Sequence, residues 1–164
     1  MIGPTQTGNS DGIETVQMSR RMTTLKTIHF ALVAGVLMFS GVVILQSYGK
    51  MTFAPAFQNP MVFVAAIVTA SGIGVSFLIA GLFAKASPMP ADGAAAIQKY
   101  QTLCLVRAAT IEGPALFSAV VTLITANILP AGLLVLCVVT LIIHCPSEGE
   151  FKRLTSQRIS QQRD

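Results

Sequence analysis

Residues 102–126 read TLCLVRAATIEGPALFSAVVTLITA, and this run decides the fold. About 20 apolar residues at 1.5 Å each cover the ~30 Å hydrocarbon core of a bilayer, so the run is long enough to cross one. Within it only Arg107 and Glu112 are charged. A charge at such depth costs ~2.5–3.5 kcal/mol on insertion scales, so each is expected to face protein and is a candidate functional residue. Ala108, Glu112, Ala115, Ala119, Thr122 and Ala126 follow steps of three and four, which puts Glu112 on a small-residue stripe predicted to look into a bundle. Arg107 lies five positions earlier, roughly 140° round a helix of 3.6 residues per turn, too far for a good intrahelical ion pair. It is expected to reach the headgroups or to pair across helices. Pro114 leaves the Thr110 carbonyl without its helical donor and Gly113 softens the same turn, so a kink is predicted beside the acid.

Outward from this run, three more apolar stretches occupy about residues 27–47, 61–84 and 128–145, the last barely of spanning length. The 164 residues are 52% hydrophobic and 11% charged, with a mean hydropathy of +0.67. Soluble domains carry roughly 25% charged residues, so a soluble class is excluded. The fold predicted is an all-α integral membrane protein, a four-transmembrane-helix bundle built from two antiparallel helical hairpins over residues 23–146. Residues 1–22, without an apolar period, are expected to be a disordered tail, and 147–164 a basic tail.

Basic residues orient the bundle. Arg20, Arg21, Lys26, Lys85, Lys99, Lys152, Arg153, Arg158 and Arg163 fall on one side and only Lys50 on the other. The positive-inside rule then predicts a multi-pass protein of the inner (plasma) membrane with both termini and the middle loop cytoplasmic. The net charge of +4 is accounted for by this pattern and calls for the lipid bilayer, not nucleic acid, as partner. The segment SRRMTTLK with Ala54-Pro55-Ala56 downstream faintly resembles a twin-arginine signal. The intervening apolar run exceeds the usual 7–15 residues and three spans follow, so a retained first span is expected.

Local signals complete the reading. Ala66, Ala70, Gly74 and Gly81 make a smooth face on the second span, suited to close helix approach and to homo- or hetero-oligomers. Asp92 is a helix-cap candidate, Asn127–Pro130 a tight turn, and Ser147 a cap with Glu150 three residues on. Cys104, Cys137 and Cys145 read as buried thiols, being odd in number and without CxxC spacing. A shift of 78 residues lays Phe39–Leu45 on Phe117–Leu123 and His29 on Arg107. Two hairpins of one ancestry, related by an axis along the membrane normal, would give that pattern.

The stretches SGIGVSFLIAGLF and AAAIQKYQTLCLVRAATIEGPALFSAVVTLI resemble the helical hairpin of the proteolipid (c) subunit of rotary ATP synthases: a glycine-striped helix, a polar loop, then a helix with a mid-membrane carboxylate. The resemblance covers about 55 residues. It implies that Glu112 is an ion-binding carboxylate and that Gly72, Gly74 and Gly81 belong to the packing stripe. The glycine repeat is incomplete, and the family's Arg-Gln-Pro loop is absent.

Three roles fit these residues. The first is a non-enzymatic structural or accessory subunit, anchored by Glu112 and Arg107, with Gly113, Pro114, Thr110 and Gly74 shaping the kink and its packing. In the second, Glu112 is a proton- or ion-binding group of a transport component, since desolvation raises a carboxyl pKa toward neutrality. The third is a haem or metal carrier through His29 and His144. No nucleophile elbow, HExxH, phosphate loop or carboxylate pair occurs, so neither enzyme activity nor a resident cofactor is expected.

Overall fold

The computed structural model describes residues 10–53, 55, 58–86, 90, 93–147 and 149–151. The start of the N-terminal tail, the Ala54–Ala56 motif, the Asp92 cap and most of the basic C-terminal tail lie outside these residues. Four helices follow in order: α1 (Ser10–Ser47), α2 (Pro60–Ala86), α3 (Gly93–Thr125) and α4 (Ile128–Ile143). Among the described residues the remaining regular pairing is one isolated parallel bridge, Thr52 with Asn127. Three helices contain apolar segments long enough to cross a membrane: Ser19–Ser47, Pro60–Ile79 and Ala94–Thr125. The fourth, α4, has 16 residues, about 24 Å at 1.5 Å per residue.

The outer surface is that of a protein whose solvent is apolar. Leu45 (77% exposed), Met38 (75%) and Ile143 (73%) stand outward, while Ser76, Ser118 and Thr122 are fully buried. A water-soluble domain of this size keeps such exposed apolar patches small.

α1 begins at Ser10, not after residue 22, so the expected disordered tail is helical in its second half. Its buried positions are Met22, Leu25, His29, Val33, Val36, Ser40, Val43 and Ser47, a single stripe of steps of three and four. Met22 and Leu25 extend that stripe below the apolar run and join a cluster with Ala96, Ile97, Tyr100, Cys104 and Phe151. The same cluster sets α1 around Met22 and Leu25 beside the first turns of α3, at the end carrying Arg20, Arg21 and Lys99, here the basic end.

α3 is the hub. It packs against α1, α2 and α4, whereas α1 and α2 barely touch. The expected pair of sequential hairpins is therefore corrected: α2–α3 and α3–α4 are packed hairpins, and α1–α2 is not. The connection between α1 and α2 crosses the far end of the molecule instead. There Thr52 N donates to Ala126 O at 2.8 Å and Ile128 N donates to Thr52 O at 3.1 Å, tying it to the α3–α4 turn.

That turn is shorter than the sequence reading placed it. Asn127 is the N-cap of α4, its Oδ1 accepting from Leu129 N at 2.9 Å, and Ala126 takes a left-handed φ of 47°. Ile128, Leu129 and Pro130 belong to the first turn of α4, where a proline loses no helical hydrogen bond.

Candidate functional site

On α3, Ala108, Ala115, Ala119 and Thr122 are buried as the stripe predicts. The centre of the buried face runs through Ile111, Pro114 and Ser118, leaving Glu112 half-buried on its flank. No hydrogen bond or ion pair joins Glu112 to another described residue.

The kink residues do meet. Pro114 faces α2 at Gly72, where an added Cβ would stand 2.6 Å from the Thr110 carbonyl oxygen and clash with Pro114 Cγ. The carbonyl that Pro114 frees thus looks onto a bare glycine backbone, and only a residue without Cβ permits that approach. The Thr110 hydroxyl donates to Arg107 O at 2.8 Å, within its own turn. Close approach falls on Gly72, not Gly74: Gly74 is exposed with open space around it. Ala70 and Gly81 are exposed as well, so the smooth face of α2 looks outward and its other face meets α3. Below Gly72 the antiparallel register, fixed by Thr69 Oγ1 and Ser118 Oγ at 3.1 Å, brings Ser76 level with Ile111. Ser76 Oγ is buried without a partner.

Arg107 pairs across to the segment after α4 and not with Glu112. Its Nη1 donates to Glu150 Oε1 at 3.0 Å, with side chains 12% and 37% exposed. Glu150 Oε2 accepts from the Tyr100 hydroxyl at 3.2 Å, which also lies 3.2 Å from the Ser147 carbonyl oxygen. Ser147 Oγ accepts from Glu150 N at 3.2 Å, the capping contact that the sequence predicts. Phe151 packs edge-on against Tyr100 with ring centroids 5.4 Å apart. The segment after α4 is therefore clasped under the bundle by one charge-assisted bond, one phenol and one aromatic plug.

The histidines cap α4. His29, 5% exposed, donates from Nε2 to Leu141 O at 3.1 Å. His144 donates from Nδ1 to Thr140 O at 2.7 Å, and its ring meets Phe77 with centroids 5.3 Å apart. A carbonyl only accepts, so both rings carry their proton on the bonded nitrogen. At the end of the helix Thr140 O also accepts from His144 N at 3.1 Å and Ile142 O from Cys145 N at 3.2 Å, while His29 supplies a donor to Leu141 O, one of the last carbonyls that lack an intrahelical partner. His29 Nε2 is thereby committed to Leu141, and no cluster of three metal-ligating side chains occurs among the described residues.

Between the end of α4, the clasp and α2 lies a recess of about 490 Å³, lined by Phe77, Arg107, Ile143, His144, Ser147 and Glu150 among others. Arg107, His29, His144, Cys104 and Cys145 all gather at this basic end, as the sequence places them. Glu150 and Tyr100 were missed as site residues. The Ser147-x-x-Glu150 cap was the available signal, because it brings a carboxylate back toward α3.

No protein family, curated protein or solved structure matches the chain.

Proposed function

We propose that the chain is a non-enzymatic, multi-pass membrane protein, a structural or accessory subunit, with four spans and both termini on the cytoplasmic side of the inner (plasma) membrane. The observation that carries this reading is the use made of the polar residues. Arg107 and Tyr100 are spent on holding the segment after α4 to the hub helix, His29 ties α1 to Leu141 near the end of α4, and His144 closes the last turn of α4 itself. A helix of 16 residues falls roughly 6 Å short of a ~30 Å hydrocarbon core. Backbone left unpaired at that depth costs several kcal/mol per group, so at the end of an α4 too short to span Leu141 O needs the donor that His29 provides. Measured from Asn127, twenty residues of α3 reach about 30 Å, which sets Arg107 at the basic boundary itself and removes the need for a deep functional charge.

The exposed Ala70, Gly74 and Gly81 face of α2 supports a partner, either a second copy or another subunit, packed closely against it. Native mass of the detergent-extracted protein tests this: an oligomer is expected, and Gly74→Ile should dissociate it while leaving the fold intact. A monomer in mild detergent and in nanodiscs alike would overturn it.

One observation favours a second reading, in which Glu112 loads a proton or ion as the proteolipid resemblance implies. Glu112 lies half-buried beside Gly113 and Pro114, inside α3, without a described partner. Carbodiimide modification of Glu112 that sodium or high pH suppresses, with proton flux lost in Glu112→Gln proteoliposomes, would replace the structural role with transport.

A further inference from the structure

Arg107 presents an incomplete set of bonds. Its guanidinium has five N–H donors in a rigid fork, yet Nη1 alone is held by Glu150, and Nε is buried with no partner. A buried donor left unmade is costly, and each such group needs an explanation. The same guanidinium lines the recess below α4. Two further polar groups border that recess. His144 has spent Nδ1 on Thr140, which leaves Nε2 uncommitted. Ser147 Oγ accepts from Glu150 N, which leaves its own proton to donate. Phe77 and Ile143, 58% and 73% exposed, continue from the recess onto the outer apolar surface.

We propose that this recess binds the phosphate of an anionic phospholipid, with Arg107 as its principal ligand and Glu150 as an internal competitor. The chemistry follows from the donors. A guanidinium edge matches a phosphodiester's two oxygens in a bidentate fork, which a lysine or a histidine cannot offer. The Ser147 hydroxyl adds a second donor, and the apolar wall of Phe77 and Ile143 suits the start of an acyl chain. Glu150 already lays a carboxylate on one guanidinium nitrogen, the position that a second anion would contest. Basic pockets between helices at the cytoplasmic boundary are where headgroups of this class are held. The placement of the recess at that boundary rests on the membrane reading above.

The test uses the full chain reconstituted in vesicles of phosphatidylcholine mixed with phosphatidylglycerol, then extracted in mild detergent and analysed by native mass spectrometry for retained lipid. Phosphatidylglycerol should remain bound, and diacylglycerol, which has the chains but no phosphate, should not. Arg107→Gln should lower retention about tenfold, the effect of losing a charge-assisted fork. Glu150→Gln should raise it several-fold by removing the competing carboxylate. Excess soluble glycerol phosphate separates the sources: failure to displace the lipid assigns the site to phospholipid, and full displacement assigns it to a free phosphate-bearing solute. Equal retention of phosphatidylglycerol and diacylglycerol overturns the proposal, as does wild-type retention in Arg107→Gln. If Arg107→Gln does not fold, Glu150→Gln decides, and unchanged retention there overturns the proposal. Alkaline carbonate extraction runs alongside. Protein that stays in the vesicles without bound anionic lipid sinks the lipid site alone, while protein that is released sinks the membrane reading.

Discussion

Two glycines two positions apart have opposite roles, and the contrast is measurable. At Gly72 a methyl group would run into Pro114 Cγ and the Thr110 carbonyl, both part of a helix that cannot yield cheaply. Gly72→Ala is therefore expected to cost about 1–3 kcal/mol, the usual range for overpacking, and to lower the thermal midpoint in detergent. Gly74→Ala meets nothing and should change stability by less than about 0.5 kcal/mol. Equal midpoints for the two variants would refute the close approach of α2 to the kink. Ser76 gives a prediction of the other sign. Its hydroxyl is buried without a partner, and deleting an unsatisfied group removes a desolvation cost. Ser76→Ala should leave the midpoint unchanged or raise it, by up to about 1 kcal/mol in stability; a clear loss would mean that the hydroxyl has a partner. The sequence carries the residue types for all of this, a proline, a freed carbonyl and a row of glycines. It does not carry the rotation of α2, which decides which glycine meets the proline.

α4 shows what local deficits demand of neighbouring elements. It is short, and among its last carbonyls Thr140 O and Ile142 O are met by the backbone that follows, while Leu141 O is met by a side chain from a different helix. His29→Phe keeps the ring volume and deletes the donor, so Leu141 O is left bare. The expected loss is ~0.6–2 kcal/mol, the range of interhelical hydrogen bonds in membranes. It should appear as a lower thermal midpoint, with faster hydrogen exchange at the end of α4; wild-type exchange there would refute the cap. The elements themselves were largely legible, since apolar run length and stripe period require only local information. The stripe of α1 even keeps phase with that of α3 at the 78-residue shift: Met22, Leu25, Val33, Ser40 and Val43 fall on Tyr100, Leu103, Ile111, Ser118 and Val121, buried in every case. The pairing of elements was not legible. A duplication of hairpins requires α1 to lie on α2, whereas α3 separates them. The connection from α1 to α2 is long enough to reach over α3, and its Thr52 anchor on Ala126 and Ile128 is a backbone contact that no side-chain pattern announces. The clasp was half legible for a similar reason. Arg107 and the Ser147 cap were visible, but their meeting depends on where a non-helical segment turns.

At the scale of the whole molecule, the clasp and the charge pattern make one joint demand on topology. Arg107 on the hub is bonded to Glu150 after the last helix, and Met22 before the first span packs in the same cluster as Phe151. In the proposed topology Met22 and Phe151 share one side of the bilayer, with the α1–α2 connection and the α3–α4 turn on the other. Nine basic residues against Lys50 give the proposed orientation its sign, because Lys and Arg are retained on the cytoplasmic side. The native thiols, Cys104, Cys137 and Cys145, are first replaced by alanine so that single reporters can be read. In intact cells a membrane-impermeant maleimide should label Phe53→Cys, which occupies a 73% exposed position in the far connection. It should not label Gly149→Cys until the membrane is permeabilised. The reverse pattern would invert the orientation while keeping the clasp. Labelling of both sites from outside would separate the two ends of α4 from the topology altogether and remove the basis for a membrane-boundary recess. Labelling of neither, with full reactivity after permeabilisation, would place both reporters inside and show that α1 and α2 do not form a spanning pair.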